Sequence, residues 1–225
     1  MLKSDTQRWG SLAKFFHWTV VLLIIVQGTI GLVMVGLPKK PSIIPIYTFH
    51  KSIGITILAL AVLRLVWRAF DPRPAEPDGM PKWQLVGARA GHALLYVLLF
   101  LVPLSGWWYD SVSGLRPLYW FGLLEIPHIV APDPSLKQFA RDAHEYLFWA
   151  LLVVALGHAA MAFIHQFVNR DGTLTRMWPG LHRPAAATPP AVSPTTVTHA
   201  EEITHVDPTA SAADPADTAT RGPGA

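Results

Sequence analysis

The sequence predicts an all-α integral membrane protein: a four-helix bundle with both termini in the cytoplasm and a disordered C-terminal tail. Three observations carry that reading. The 225-residue chain is 51% hydrophobic and only 15% charged, with a mean hydropathy of +0.32. Its apolar residues are gathered in four stretches, each near the length of about 20 residues that a helix needs to cross hydrocarbon. Segments rich in proline, lysine and arginine separate those stretches.

The first span covers residues 12–36, through WTVVLLIIVQGTIGLVMVG. It is too long for the apolar core of a signal peptide and lacks a small-x-small cleavage pattern. The proline-rich LPKKPSIIP follows as a loop. The second span, residues 47–70, ends in RLVWRAF, and the closely spaced prolines of DPRPAEPDGMP then break the helix. The third span is 86–109. The stretch from there to about residue 140 holds Pro117, Pro127, Pro132, Pro134 and the aromatic run LYWFG. It reads as an ordered loop at the interface, where Trp and Tyr are favoured. The fourth span is 141–168. Residues 1–180 thus form a membrane domain. Residues 181–225, dominated by Pro, Ala and Thr, cannot bury enough surface to offset ordering entropy and read as disordered. His182, His199 and His205 fall there as solvated side chains.

Lys and Arg set the orientation. The N-terminus (Lys3, Arg8, Lys14), the second loop (Arg64, Arg68, Arg73, Lys82, Arg89) and the exit (Arg170, Arg176, Arg183) hold eleven, against six on the other face. The positive-inside rule places the richer face, with both termini, in the cytoplasm. The net charge of +3 arises from these flanks, and no basic block interleaved with aromatics suggests nucleic acid. Cysteine is absent. That excludes, within this chain, disulfides, iron–sulfur clusters, thiolate zinc sites and covalently attached c-type haem.

Histidine carries the chemistry. His144, His158 and His165 are separated by 14 and 7 residues, close to whole numbers of turns at about 100° per residue, so they share one helical face. His144 and His158 lie about 21 Å apart along the axis at 1.5 Å per residue. With spans running alternately, His50 and His144 share an outer level, and His17, His92, His158 and His165 crowd an inner one. Imidazoles inside hydrocarbon are functional candidates by default. Zinc would need three or four ligands at one depth, and a dinuclear carboxylate site would need acids inside the spans. Two haems, each held by two imidazoles from facing helices, fit the pattern best. Gly54, one turn after His50, leaves room for a porphyrin face. Arg64, 14 residues after His50, reads either as a partner for a haem propionate or as a snorkelling interfacial cation. Lys39, Lys40 and Lys51 give the outer surface a positive field, suited to lipid head groups or to an approaching anion.

The strings KFFHW, FHKSIG, GHALLY, DAHEYLFW and LGHAAMAFIHQF, closing with DGTLTRMWPG, resemble the prokaryotic cytochrome b561 family of four-helix, di-haem b-type cytochromes of the bacterial inner membrane. The resemblance spans roughly residues 5–180. It implies His17 with His158 on one haem and His50 with His144 on the other. It also implies a quinone site near His92 and His165. The activity it implies is quinone-coupled electron transfer, with oxidation of superoxide at the periplasmic face and delivery to ubiquinone as one form. A membrane-anchor subunit passing electrons for a dehydrogenase or hydrogenase partner is the alternative, and a haem protein without turnover a further one. A redox partner protein or a homodimer is compatible with either electron-transfer reading.

Overall fold

The computed structural model describes residues 1–38, 40–75, 80–114 and 116–179. The tail from residue 181, with its three histidines, lies outside them, as does Lys39. Among the described residues, four helices are long and apolar enough to cross a membrane: α1 (Ser11–Gly36), α2 (Ile44–Phe70), α3 (Lys82–Ser113) and α4 (Lys137–Ile164). Each runs past its apolar stretch where local chemistry permits. Pro45 sits in the first turn of α2, where a missing N–H does no harm. Pro81 precedes α3, and Gly114 ends it in the left-handed conformation at φ 55°. Any side chain at Gly114 would meet Pro132, whose Cβ stands 2.8 Å from an added methyl. Pro103 lies inside α3 without ending it, as membrane helices allow.

The segment between α3 and α4, which the sequence reads as an ordered interfacial loop, carries a short hairpin. Two short strands, β1 (Leu118–Trp120) and β2 (Leu124–Ile126), pair antiparallel with Tyr119 opposite Glu125. Phe121 and Gly122 both have positive φ, 48° and 76°, the backbone pair a type I′ turn needs. Alternating Leu-Tyr-Trp and Leu-Glu-Ile supply strand formers on each side. The hairpin folds back over α2. Ser52 Oγ accepts the N–H of Phe121 (3.0 Å), and Trp120 Nε1 donates to Thr56 Oγ1 (3.0 Å). Phe49 meets Phe121 edge-on.

At the opposite end the chain ties its own segments together. Ser4 donates to Asp71 through its N–H (2.9 Å) and its hydroxyl (2.5 Å), and Gly10 N–H donates to Ser4 Oγ (2.8 Å). Gly10 is there because a Cβ would stand 2.3 Å from Leu2 O. Ala75 N–H donates to Thr6 O (2.8 Å), and Arg176, on the short helix α5 (Thr173–Met177), donates to Ala75 O (2.8 Å). Trp18 Nε1 donates to Met177 O (2.9 Å) and Lys14 Nζ to Trp178 O (3.2 Å). The N-terminal segment, the α2–α3 connection and the chain after α4 therefore occupy one face.

The protein core is a band at mid-depth, formed by Val20, Ile53, Ile57, Ala61 and Leu99. Ala61 is fully covered, and its lack of bulk lets neighbouring backbones approach. Outward from this band Leu22, Ile25, Leu63, Val66, Val153 and Leu156 are exposed. That is the distribution expected where the solvent is lipid and backbone polarity is satisfied inside each helix.

Candidate functional site

Two groups of facing imidazoles lie above and below the core band. On the hairpin side, His50 of α2 and His144 of α4 face each other with ring centres 6.3 Å apart and planes at 88°. On the other side, His17 of α1 and His158 of α4 stand 6.5 Å apart at 75°. A metal bonded to two imidazole nitrogens at about 2 Å, with about 1.1 Å from each nitrogen to its ring centre, sets the centres about 6.2 Å apart. Both pairs match that spacing. His92 of α3 also meets His158, but at 5.1 Å and 66°, too close to hold a metal atom between the two nitrogens. Among the described residues no three His, Asp or Glu side chains form a group that could hold a metal ion.

The tautomer of His144 is fixed by its neighbours. Its Nδ1 lies 3.0 Å from Val102 O and 3.0 Å from Ser105 Oγ, and Ser105 Oγ itself donates to Val102 O at 2.8 Å. A carbonyl only accepts, so Nδ1 carries the proton and Nε2 presents its lone pair. His50 Nδ1 is buried with no hydrogen-bond partner. Gln27 Nε2 caps the carbonyl of His50 instead, at 2.8 Å. Arg64 lies beside His17, with Nη2 3.1 Å from Nδ1, and its guanidinium rests 5.6 Å over the Tyr96 ring. Arg68 shares that ring at 5.7 Å.

Glycines make the approach of the rings possible. A Cβ at Gly106 would stand 3.0 Å from His144 Cε1, and one at Gly31 would stand 3.3 Å from His50 Cε1. Gly54 lies instead against Gln27, whose Nε2 would be 3.4 Å from an added Cβ. Gly31 and Gly106 were not singled out from sequence. Their signal is a glycine embedded in an apolar run, IGLV and LSGWW, but that signal does not say which ring it faces. Lys51, next to His50, is paired with Asp110, so its charge is locally matched and not free to shape an outer field.

His92 is exposed on its helix. His165 is buried at 8% exposure and makes no ring contact with His92 among the described residues. Its Nδ1 sits 2.5 Å from Asp171 Oδ2. Asp171 escaped notice in the sequence because it follows the apolar segment by a few residues and looks like an ordinary helix-exit acid. Its carboxyl lies below the usual carboxylate range. Partial burial acts against that shift, but bonds from the Thr173 hydroxyl and N–H and from His165 more than offset it.

Four helices long and apolar enough to cross a membrane, paired imidazoles with glycines under the rings and no thiolate available are the features a membrane cytochrome of the b type would need. Comparison with known proteins specifies the kind. The chain belongs to the prokaryotic cytochrome b561 family, whose model matches residues 8–180. It is similar to cytochrome b561 homolog 2 of Escherichia coli (strain K12), 33% identical over 76% of this chain and 91% of that protein. Cytochrome b561 homolog 1 of the same strain is 28% identical over 76% and 97%, respectively. The probable superoxide oxidase CybB of Yersinia pestis is 29% identical over 77% of this chain and 97% of its own length. Membership makes this a multi-pass bacterial membrane protein of transmembrane electron transfer, and it implies a b-type haem.

Proposed function

We propose that the protein holds two b-type haems, one between His50 and His144 and one between His17 and His158. Single electrons then pass between the two membrane faces. The observation that carries this reading is the pair of ring separations, 6.3 and 6.5 Å, at opposite depths of one bundle. A b-type haem bound by two imidazoles supplies one-electron iron chemistry with no open coordination position. The chain's own part is to present imidazole nitrogens, exclude water and set the surrounding charge. Val102 and Ser105 orient His144, Gly31 and Gly106 let the rings seat, and Arg64 and Arg68 supply cations at the level of His17.

The charge count along the sequence puts the face carrying the N-terminus in the cytoplasm, hence His17 and His158 on the inner side. There, His92 exposed beside His158 and His165 poised by Asp171 are the groups suited to a ubiquinone headgroup, since an imidazole can hydrogen-bond a quinone oxygen and exchange a proton. Superoxide is the electron donor at the outer side on this reading. Its support is the name carried by the Yersinia pestis relative. The cell membrane of the bacterium is the setting.

Haem quantitation on the pure protein, with reduced-minus-oxidised spectra, tests the assignment. Two haems per chain are expected, and His50→Ala and His158→Ala should remove different spectral components. One haem per chain, or loss of the same component in both variants, would overturn it. Stopped-flow mixing with superoxide and short-chain ubiquinone then tests the reaction, and no quinone reduction above the protein-free rate would remove that activity.

A further inference from the structure

The helix after His158 does not end in the ordinary way. At His165–Asn169 it widens into a single π-helical turn, a feature that is rare and concentrated at functional sites. Arg170 follows in the left-handed conformation at φ 54°, with its N–H on His165 O. For a residue with a Cβ that conformation is strained. The Asp171 N–H reaches the same carbonyl at 3.3 Å. The backbone is thus wound around His165, and the product of the winding is one contact: Asp171 Oδ2 against His165 Nδ1 at 2.5 Å.

Asp171 is itself held. Its Oδ1 accepts the Thr173 N–H (2.9 Å) and hydroxyl (2.6 Å), which leaves Oδ2 committed to the ring. Asn169 Nδ2 is also 3.2 Å from Nδ1, but a carboxylate only accepts. The short contact therefore fixes the proton on Nδ1 and leaves Asn169 a secondary neighbour. Nearby cations are engaged elsewhere: Arg176 donates to Ala75 O and Lys14 to Trp178 O. Arg64 lies on His17. Among the described residues, Nε2 of His165 has no partner.

We infer that Asp171 is a positioning residue that holds His165 with Nδ1 protonated, so that Nε2 serves a quinone oxygen on the inner side. This rests on the quinone reading above. A neutral ring offers Nε2 as acceptor to a quinol hydroxyl. A ring protonated on both nitrogens donates from Nε2 to a quinone oxygen, and the carboxylate neutralises its charge. Reduction of the quinone to quinol takes two electrons, supplied one at a time by the protein's electron-transfer activity, and two protons, one by way of His165 and the other from solvent. For a proton delivered from His165 the Nε2–H bond breaks, an O–H bond forms on the quinone, and Nε2 is reprotonated from solvent. The carboxylate orients and balances charge but does not take up the proton, the division of labour familiar from other imidazole–carboxylate pairs.

The experiment uses the full-length haem-loaded protein with ¹⁵N-labelled histidine, His165 being assigned through His165→Gln. Ring-nitrogen shifts are read beside kcat and KM for a ubiquinone bearing one isoprenoid unit. Asp171→Ala should displace His165 from its Nδ1–H signature and raise KM about tenfold, with haem content and spectra unchanged. Asp171→Asn keeps a carbonyl acceptor but no charge, so it should retain the signature and a KM within about twofold, with kcat about tenfold lower. If Asp171→Ala does not accumulate with haem, Thr173→Val decides: a two- to threefold rise in KM is expected, and an unchanged KM overturns the inference. Equal damage in the Ala and Asn variants, or none in either, also overturns it. An unaltered KM in His165→Gln sinks instead the quinone reading at this residue, a result distinct from an impaired His165→Gln beside an unimpaired Asp171→Ala.

Discussion

Arg64 Nη2 donates a hydrogen bond to His17 Nδ1 across 3.1 Å. A guanidinium has no acceptor, so in this arrangement Nδ1 of His17 holds a lone pair and Nε2 carries the ring proton. An imidazole that ligates through Nε2 has the opposite tautomer. Ligation of a haem iron through His17 Nε2 would therefore require Arg64 to turn off the ring, which would free a cation for the carboxylate side chains that a b-type haem carries. His144 needs no such change, because Val102 O already holds its proton on Nδ1.

The first prediction follows from that charge. Arg64→Ala should leave haem content unchanged and lower the midpoint potential of the inner centre by on the order of 60 mV, a tenfold change in a one-electron equilibrium. Arg64→Lys should retain part of the effect, since it keeps charge but loses the planar contact with Tyr96. Potentiometric titration of the two spectral components reads the result. An unshifted inner midpoint would take Arg64 out of the cofactor's surroundings.

Glycine positions separate the centres further. Gly106→Ala places a methyl 3.0 Å from His144 Cε1, a contact tight enough to cost about 1–3 kcal/mol if the ring cannot shift. Reduced occupancy of the outer haem alone is expected. Gly54→Ala meets only the flexible end of Gln27 at 3.4 Å and should be neutral or stabilising by up to about 1 kcal/mol, through helix propensity. The spectral component lost in His50→Ala measures both.

The four-helix plan was legible because membrane spans are written in length and hydropathy, which do not depend on partners. The register of His144, His158 and His165 was legible for the same reason: helical period alone puts them on one face. The inner level remained crowded in sequence, with four histidines at one depth, because periodicity gives a residue's height but not the distance between rings on different helices. The family resemblance implies His17 as the partner of His158, and the ring separations, 6.5 Å to His17 against 5.1 Å to His92, supply a geometry that spacing along the chain does not contain. The hairpin at Leu118–Ile126 was hidden for another reason. Its strands are three residues long, shorter than any alternation pattern can establish, and its turn uses Phe121 at positive φ, where sequence rules expect Asn or Gly.

One hydroxyl of α2 ties that hairpin down beside the bond from Trp120 to Thr56. Ser52 is fully buried, accepts the Phe121 N–H and contacts Tyr119 O and Thr48 O. Ser52→Ala removes the acceptor of the Phe121 N–H, at a cost of about 0.5–1.5 kcal/mol. Hydrogen exchange at residues 118–126 should accelerate correspondingly, while exchange in α4 stays at its wild-type rate. Unchanged protection in the hairpin would show that its packing on Phe49 holds it without Ser52.

The last prediction concerns acid. Asp171 has an ordinary carboxyl value of 3.8 that is lowered in the fold. A depressed carboxyl value contributes stability that is fully present above the unfolded value and disappears as pH falls through the lower folded one. Wild type should thus exceed Asp171→Asn in stability by about 1 kcal/mol, and the gap should be flat above about pH 5. It should close as the medium is acidified through 3.8 and below. Thermal loss of the haem absorbance, followed as a function of pH in both proteins, gives the curve. A gap that instead widened toward low pH would mean that the carboxylate is stabilised less in the fold than in the unfolded chain. The bonds from Thr173 and His165 would then not be what holds this turn closed.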